Sequence, residues 1–136
     1  MKREFFLDSA FAIALSLKTD SFHEKAVQIS DDLDDALLVT TRAILLEIGN
    51  ALSKSAFRRA GARLQASMES DQNVLILPIT DELYAKSFDL FAKRPDKEWS
   101  LTDCISFVVM QERGMGEALT TDAHFQQAGF QVLMRE

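Results

Sequence analysis

The feature that most constrains this chain is an alternation between short apolar runs and longer stretches with helical periodicity. Runs of three or four mostly apolar residues are typical of strands buried on both faces, as in parallel sheets. Apolar residues three and four positions apart indicate amphipathic helices. The predicted strands cover residues 4–7, 36–39, 74–77, 118–120 and 131–133. Helices are predicted over residues 22–33, 42–54, 56–68, 81–92 and 101–113, with a short helix after Asp122.

The order of these elements predicts an α/β domain. Its central sheet should contain about five short, mainly parallel strands, with helices on both faces. The chain has 136 residues, of which 47% are hydrophobic and 26% charged, so we expect a single domain over residues 1–136. Five glycines and two prolines are few for the many turns of an all-β sandwich.

Cysteine content and the N-terminal segment bear on the cellular location. Cys104 is the only cysteine, so no disulfide can form within the chain, and we expect the protein in the cytoplasm. Asp8 interrupts the apolar N-terminal segment, and no apolar run approaches the ~18 residues that a membrane span requires. Neither export nor membrane insertion is therefore predicted.

Four acidic residues are predicted to meet at one edge of the sheet. Asp8 and Asp122 follow the first and fourth strands, and the carboxyl edge is where open α/β sheets place their sites. Asp103 begins the helix that leads back from that edge. Glu47 puts a charge on the apolar side of the helix over 42–54, and such a break in pattern tends to mark a functional site.

Each of these acids also has a purely structural interpretation. Asp8 and Asp122 could cap the helices that follow them, Ser100 and Asp103 fit a capping box, and Glu47 could reach solvent from its helix. Together, however, carboxylates a few Å apart repel each other by about 4 kcal/mol per close pair at an effective dielectric near 20. Bound Mg²⁺ or Mn²⁺ removes that cost and is suited to phosphodiester hydrolysis.

Basic residues supply a candidate substrate surface. The net charge of −6 excludes a general electrostatic attraction for nucleic acid, so phosphates would have to be held locally. Lys93, Arg94 and Lys97 cluster just before the helix of Asp103, and we predict that they contact an RNA backbone. The alternative is an ordinary solvated surface.

Four segments, spread over almost the whole chain, carry a family resemblance. They are FFLDSAFAIALS, TTRAILLEIGNALSK, EWSLTDCISFVVMQERG and EALTTDAHFQQAGFQVL. These segments resemble the motifs of PIN-domain ribonucleases, and most closely those of the VapC-type toxins of toxin–antitoxin pairs. The resemblance implies a PIN-like three-layer fold, Mg²⁺- or Mn²⁺-dependent endoribonuclease activity, an RNA substrate, a cognate antitoxin and homodimerisation.

The resemblance also implies roles for individual residues. The catalytic and metal-binding quartet would be Asp8, Glu47, Asp103 and Asp122. Ser9 and Thr121 would assist through their hydroxyls. Many relatives place another acid shortly after the fourth, where this chain has His124, and this difference bears on whether a second metal ion binds.

Other phosphate-handling folds do not fit the pattern. A receiver domain needs an Asp at the end of its third strand, which here reads Val-Leu-Ile-Leu-Pro, and a haloacid-dehalogenase phosphatase needs a second Asp where Ala10 stands. No Gly-rich phosphate loop follows the first strand. The remaining alternative is a PIN-like non-catalytic module that binds RNA or protein and uses its acids as helix caps.

Overall fold

Strands and helices alternate through residues 2–134, which the computed structural model describes. The strands are β1 (Glu4–Leu7), β2 (Leu37–Thr41), β3 (Val74–Leu77), β4 (Glu117–Leu119) and β5 (Gln131–Val132). The helices are α1 (Ser9–Ser16), α2 (His23–Asp31), α3 (Arg42–Ala51), α4 (Ser55–Ser70), α5 (Asp81–Lys93), α6 (Leu101–Glu112) and α7 (Ala123–Gln127). This is the predicted α/β architecture.

The strands form one sheet in the order β3-β2-β1-β4-β5, and every pair in it is parallel. β1 lies at the centre, where Phe6 pairs with Val39 of β2 on one side and with Ala118 of β4 on the other. The chain winds from β1 outward to β3 and then crosses back to β4. The point at which strand order reverses therefore lies between β1 and β4, and ligands bind at such points in open α/β sheets.

The helices pack in two main groups. α1 contacts α2, α3 and α4, whereas α6 contacts α5 and α7. Right-handed crossovers that run in opposite directions from the central strand place their helices on opposite faces, which explains the grouping. The result is the predicted three-layer arrangement, with the central strands inaccessible to solvent on both sides.

Aromatic side chains fill the core under α6 and α7. The rings of Phe107 and Phe125 meet edge to face at 5.0 Å, and Phe107 makes the same contact at 5.0 Å with Trp99. Such pairs stabilise by about 0.5–1.5 kcal/mol beyond the area they bury. Trp99 is buried, and its indole Nε1 donates a hydrogen bond to Gln127 Oε1 at 3.1 Å, so this ring is a packing residue.

Some boundaries differ from the sequence prediction. The predicted helix over 42–54 ends at Ala51, and a separate helix, α4, begins at Ser55. Ser53 Oγ donates to the carbonyl of Asn50, and such local bonds compete with a continuing helix. β2 continues to Thr41, whose hydroxyl accepts from Ile44 N and caps α3 directly.

Hydropathy and helix length bear on membrane insertion. Within residues 2–134, no helix is both long enough and apolar enough to span a bilayer.

Candidate active site

The acids predicted from the sequence lie around the reversal point between β1 and β4. Asp8 directly follows β1, and its backbone N donates to the carbonyl of Leu119 at the end of β4, at 3.2 Å. Asp122 comes three residues after β4 and is the N-cap of α7. Glu47 and Asp103 approach the same edge from α3 and α6. The predicted convergence therefore rests on the topology of adjacent parallel strands.

Asp8 is a buried carboxylate with no capping role. It is 6% exposed and stands at the N-cap position of α1, but its side chain makes no capping hydrogen bond. Its Oδ2 accepts a bond from Thr120 Oγ1 at 2.6 Å. Burial raises the pKa of the Asp8 carboxyl to about 7. The bonds from Thr120 and from the backbone N–H of Ser9 lower this pKa, and the nearby charges of Glu47 and Asp103 raise it. The helix-cap interpretation is therefore wrong for this residue.

Glu47 is held by a hydroxyl from a neighbouring helix. Ser9, the first residue of α1, donates from Oγ to Glu47 Oε1, and α1 packs against α3. Glu47 is half-buried, whereas Leu46 beside it is exposed, so the charge does lie on the inner side of α3. Ser9 therefore contacts Glu47, and its assistance in catalysis stays a prediction.

Asp103 lies in the first turn of α6 and belongs to a complete capping box. Ser100 Oγ accepts from Asp103 N at 3.0 Å, and Asp103 Oδ2 accepts from Ser100 N at 3.1 Å. The same Oδ2 lies 2.9 Å from His124 Nδ1. The side chain of Asp103 is 13% exposed, whereas Ser100 at the other end of the box is exposed.

Asp122 caps α7 and lies beside the same histidine. Its Oδ1 accepts from His124 N at 2.8 Å and lies 3.5 Å from His124 Nδ1. Asp122 N in turn donates to Thr120 Oγ1 at 3.0 Å. Thr120 therefore links Asp122 to Asp8, because its hydroxyl accepts from one residue and donates to the other. The cap-only alternative accounts for Asp103 and Asp122 but not for Asp8 and Glu47.

The sequence does not identify Thr120 as part of this network, and it identifies His124 only as the residue that stands where many relatives have an acid. Thr120 sits in an apolar strand run, where nothing marks its hydroxyl as functional, yet it is fully buried. His124 has no ligand partner at helical spacing in the sequence; its partner Asp103 is supplied by another helix. Thr121, which we expected to assist, is half-buried beside Thr120, and its role stays a prediction.

The chemistry of the donor set fits a divalent cation. In each of the four acids, the side-chain hydrogen bonds described above fall on a single carboxylate oxygen. Among residues 2–134, no Lys or Arg forms an ion pair with any of them. One donor atom each from Asp103, Asp122 and His124 lie within 4.8 Å of one another. Hard cations take oxygen-rich sets of this kind.

The thiol next to Asp103 does not contribute a nucleophile. Cys104 is fully buried, and burial together with the charge of Asp103 raises the pKa of its thiol to about 11. A thiol with so high a pKa stays protonated at neutral pH and is inert.

The predicted RNA-binding residues differ in their surroundings. Lys93 pairs with Asp89 at 2.8 Å, and Arg94 forms two 3.0 Å bonds to Asp96 while covering the ring of Trp99. Lys97, by contrast, lines a polar depression that also contains His124. Of the three cations, Lys97 is therefore the one that shares a depression with His124.

Comparisons with known proteins identify the family. The family model described as PIN domain matches residues 5–131. Over 125 residues the chain is 26% identical to the 23S rRNA-specific endonuclease VapC20 of Mycobacterium tuberculosis, covering 92% of this chain and 94% of that protein.

Solved structures give the same result. The crystal structure of Mycobacterium tuberculosis VapC20, described as a sarcin–ricin loop cleaving toxin, superposes with a TM-score of 0.84 at 25% identity, over 93% of this chain and 95% of that one. VapBC2 from Rickettsia felis, bound to a DNA fragment from their promoter, gives 0.67 at 10% identity over 95% and 96%. FitAcB from Neisseria gonorrhoeae gives 0.64 at 19% identity over 94% and 95%. The last two show the fold alone.

Proposed function

The chain belongs to the PIN domain family, and from that premise we propose that it is a metal-dependent endoribonuclease acting as the toxin of a toxin–antitoxin pair. The observation that carries the proposal is the buried Asp8, whose side chain makes no capping hydrogen bond and which lies close enough to Glu47 and Asp103 for their charges to raise its pKa. A buried carboxylate that stabilises no helix costs folding free energy, and a functional role explains its presence.

The proposed roles follow from the contacts. Asp8, Glu47, Asp103 and Asp122 would hold Mg²⁺ or Mn²⁺, which when bound activates water and neutralises charge on the phosphate. Ser9 fixes the orientation of Glu47, and Thr120 fixes that of Asp8. Each of these side-chain bonds falls on one carboxylate oxygen, Oε1 of Glu47 and Oδ2 of Asp8. Such supporting bonds orient a carboxylate for a metal ion.

RNA is the proposed substrate class, and ribosomal RNA is the first substrate to test. The relative VapC20 is described as 23S rRNA-specific and as cleaving the sarcin–ricin loop. Lys97 would hold a phosphate beside His124, because both line the same depression. Lys93 and Arg94 would contribute at longer range, since breaking exposed ion pairs costs little.

The experiment is a cleavage assay on deproteinised 23S rRNA and on a stem-loop that carries the sarcin–ricin sequence. Wild type with Mn²⁺ or Mg²⁺ should give discrete fragments, and the same enzyme in excess EDTA should give none. Equal fragments in both tubes would refute metal dependence. If the Asp103→Asn variant, which lacks only that carboxylate charge, cut as well as wild type, the assignment of the site would be refuted.

An antitoxin is the proposed protein partner. The adjacent reading frame should encode a small DNA-binding protein that co-purifies with this chain and suppresses the cleavage. Co-expression of the two frames, followed by affinity purification through a tag on one of them, tests the partnership. If the neighbouring product neither co-purifies nor inhibits, the toxin role is wrong even where the nuclease activity stands.

A second copy of the chain is the other proposed partner. Helix α5 exposes three aromatic rings one turn apart, Tyr84, Phe88 and Phe91, which are 48%, 53% and 44% exposed. A row of exposed aromatics on one helix is typical of an interface. Antiparallel packing of α5 against its copy would set each row against the other around a two-fold axis.

Charge along α5 supports that antiparallel arrangement. The helix begins with Asp81 and Glu82 and ends with Lys93 followed by Arg94. In an antiparallel pair, the acidic start of one helix therefore lies beside the basic end of the other. Sedimentation should show a wild-type dimer and a folded, monomeric Phe88→Glu variant. A wild type that stays monomeric at high concentration would refute this interface.

A further inference from the structure

His124 occupies a place in the site that its carboxylate neighbours do not explain. Its Nδ1 lies 2.9 Å from Asp103 Oδ2 and 3.5 Å from Asp122 Oδ1. The imidazole is 30% exposed, so it faces the site and not the core. Its backbone is fixed by the cap that Asp122 provides, because His124 N donates to Asp122 Oδ1 at 2.8 Å. The capped start of α7 therefore holds the imidazole ring at the site.

These separations match the edges of a coordination polyhedron. Two ligands at adjacent corners of an octahedron, each ~2.1 Å from the ion, stand about 3 Å apart. The Nδ1-to-Asp103 separation of 2.9 Å equals that edge, and the separation of 3.5 Å from Asp122 lies close to it. The donor atoms of all three residues lie within 4.8 Å of one another, so one ion could take a donor from each after the side chains adjust.

The chemistry of imidazole differs from that of the acid that many relatives place near this position. Mg²⁺ strongly prefers oxygen ligands and gives up its water reluctantly. Imidazole nitrogen instead favours first-row transition ions, whose affinities rise along the Irving–Williams series from Mn²⁺. A nitrogen donor in an otherwise oxygen-rich set therefore shifts selectivity away from Mg²⁺.

We propose that His124 Nδ1 is a direct metal ligand, together with Asp103 and Asp122, and that it makes the site select Mn²⁺ over Mg²⁺. This inference rests on the proposed nuclease site and names the ion that the site prefers. The competing role is that of a positioning residue, in which His124 would only donate a hydrogen bond to Asp103 and never touch the ion.

Pulsed EPR on the Mn²⁺-loaded protein separates these roles without any activity measurement. Electron spin echo modulation detects ¹⁴N nuclei bound to Mn²⁺. The chain has two histidines, and His23, whose Nδ1 bonds to the carbonyl of Ala14, provides a matched control. Wild type and His23→Ala should both show the nitrogen modulation, and His124→Ala should lack it. A Mn²⁺-loaded wild type without nitrogen modulation would overturn the proposal.

Calorimetric titration with Mn²⁺ and with Mg²⁺ gives a second readout. His124→Asp should lower the ratio of Mn²⁺ to Mg²⁺ affinity, because an oxygen donor takes the place of the nitrogen donor that favours first-row transition ions. An unchanged ratio, with both affinities reduced alike, would assign His124 a positioning role and overturn the ligand proposal. Failure of the wild type to bind either ion would instead refute the proposed function itself.

Discussion

The two halves of the acidic site use the same residue type for opposite structural purposes. Asp103 completes the capping box of α6 and Asp122 is the N-cap of α7, so each stabilises the start of a helix even without a ligand. Asp8 caps nothing, is buried, and has its pKa raised to about 7. The capped half, Asp103 and Asp122, could therefore exist for folding alone. The buried half, represented by Asp8, lowers the stability of the fold and needs a functional explanation.

The largest expected effect is on catalysis, and it should erase the difference between the halves. Asp8→Asn and Asp103→Asn should each lower RNA cleavage by about 10²–10³-fold or more, because each removes charge from one electrostatic site. Asp35→Asn, an exposed acid before the amino end of β2, is the matched control and should cleave normally. Loss at Asp103 with normal cleavage by the Asp8 variant would show that the halves do not form one site.

The pH dependence of the free energy of unfolding should differ between variants of the two halves. The pKa of Asp8 is about 7 in the folded, metal-free protein, compared with the ordinary value of 3.8 in the unfolded chain. The protonated Asp8 carboxyl makes its full contribution to the free energy of unfolding below about pH 4, and this contribution is lost as the pH rises through 7. Asp8→Asn removes the loss, so at pH 8 it should be more stable than wild type by up to about 4 kcal/mol, and at pH 4 about equal.

Denaturant unfolding in EDTA at pH 4, 6 and 8 measures this difference. Asp122→Asn is the comparison variant, because Asn caps a helix about as well as Asp and should change stability little at every pH. If Asp8→Asn raised the free energy of unfolding equally at all three pH values, the raised pKa assigned to the buried Asp8 carboxyl would be wrong.

How much of this could be predicted from the sequence varies with the kind of interaction. The sheet, its parallel order and the convergence of the four acids follow from apolar periodicity and from strand ends, which are local signals. The contacts of Thr120 and His124 do not. Each partner comes from a distant part of the chain, Asp8 for Thr120 and Asp103 for His124, so no spacing encodes them.

The same distinction explains the capping result. A capping box is written in four consecutive residues, so Ser100 and Asp103 could be identified from the sequence. Whether Asp8 caps α1 depends on the partner of its side chain, and that partner, Thr120, comes from a distant part of the chain. The helix predicted over 42–54 ends at Ala51 in the structure. Just beyond that end, the hydroxyl of Ser53 donates a hydrogen bond to the carbonyl of Asn50.

A smaller effect tests the link between the halves. Thr120→Val keeps the shape of the side chain but removes the hydroxyl that donates to Asp8 and accepts from Asp122 N. It should destabilise the protein by about 1–3 kcal/mol, because buried polar groups lose their partner. Thr120→Ser should recover most of that loss. Equal stability of the Val variant and wild type would show that the link contributes nothing.

The smallest expected effect concerns the approach of RNA to the exposed half. Lys97→Ala should reduce the salt slope of RNA binding by about 1, since one phosphate contact releases about one counterion. Lys93→Ala should reduce it less, because Lys93 already pairs with Asp89. Filter binding over a range of KCl concentrations measures both slopes. A larger change at Lys93 than at Lys97 would place the RNA on the other side of this surface.

The most direct test of the central claim is the stabilisation of the folded protein by Mn²⁺. At a hundredfold excess over the dissociation constant, the ion should raise the free energy of unfolding by about 2.7 kcal/mol. Asp8→Asn and Asp103→Asn should each lose most of that gain, although they come from opposite halves. If Mn²⁺ left the unfolding of wild type unchanged, or if only the Asp103 variant lost the gain, the two halves would not be one metal-binding site.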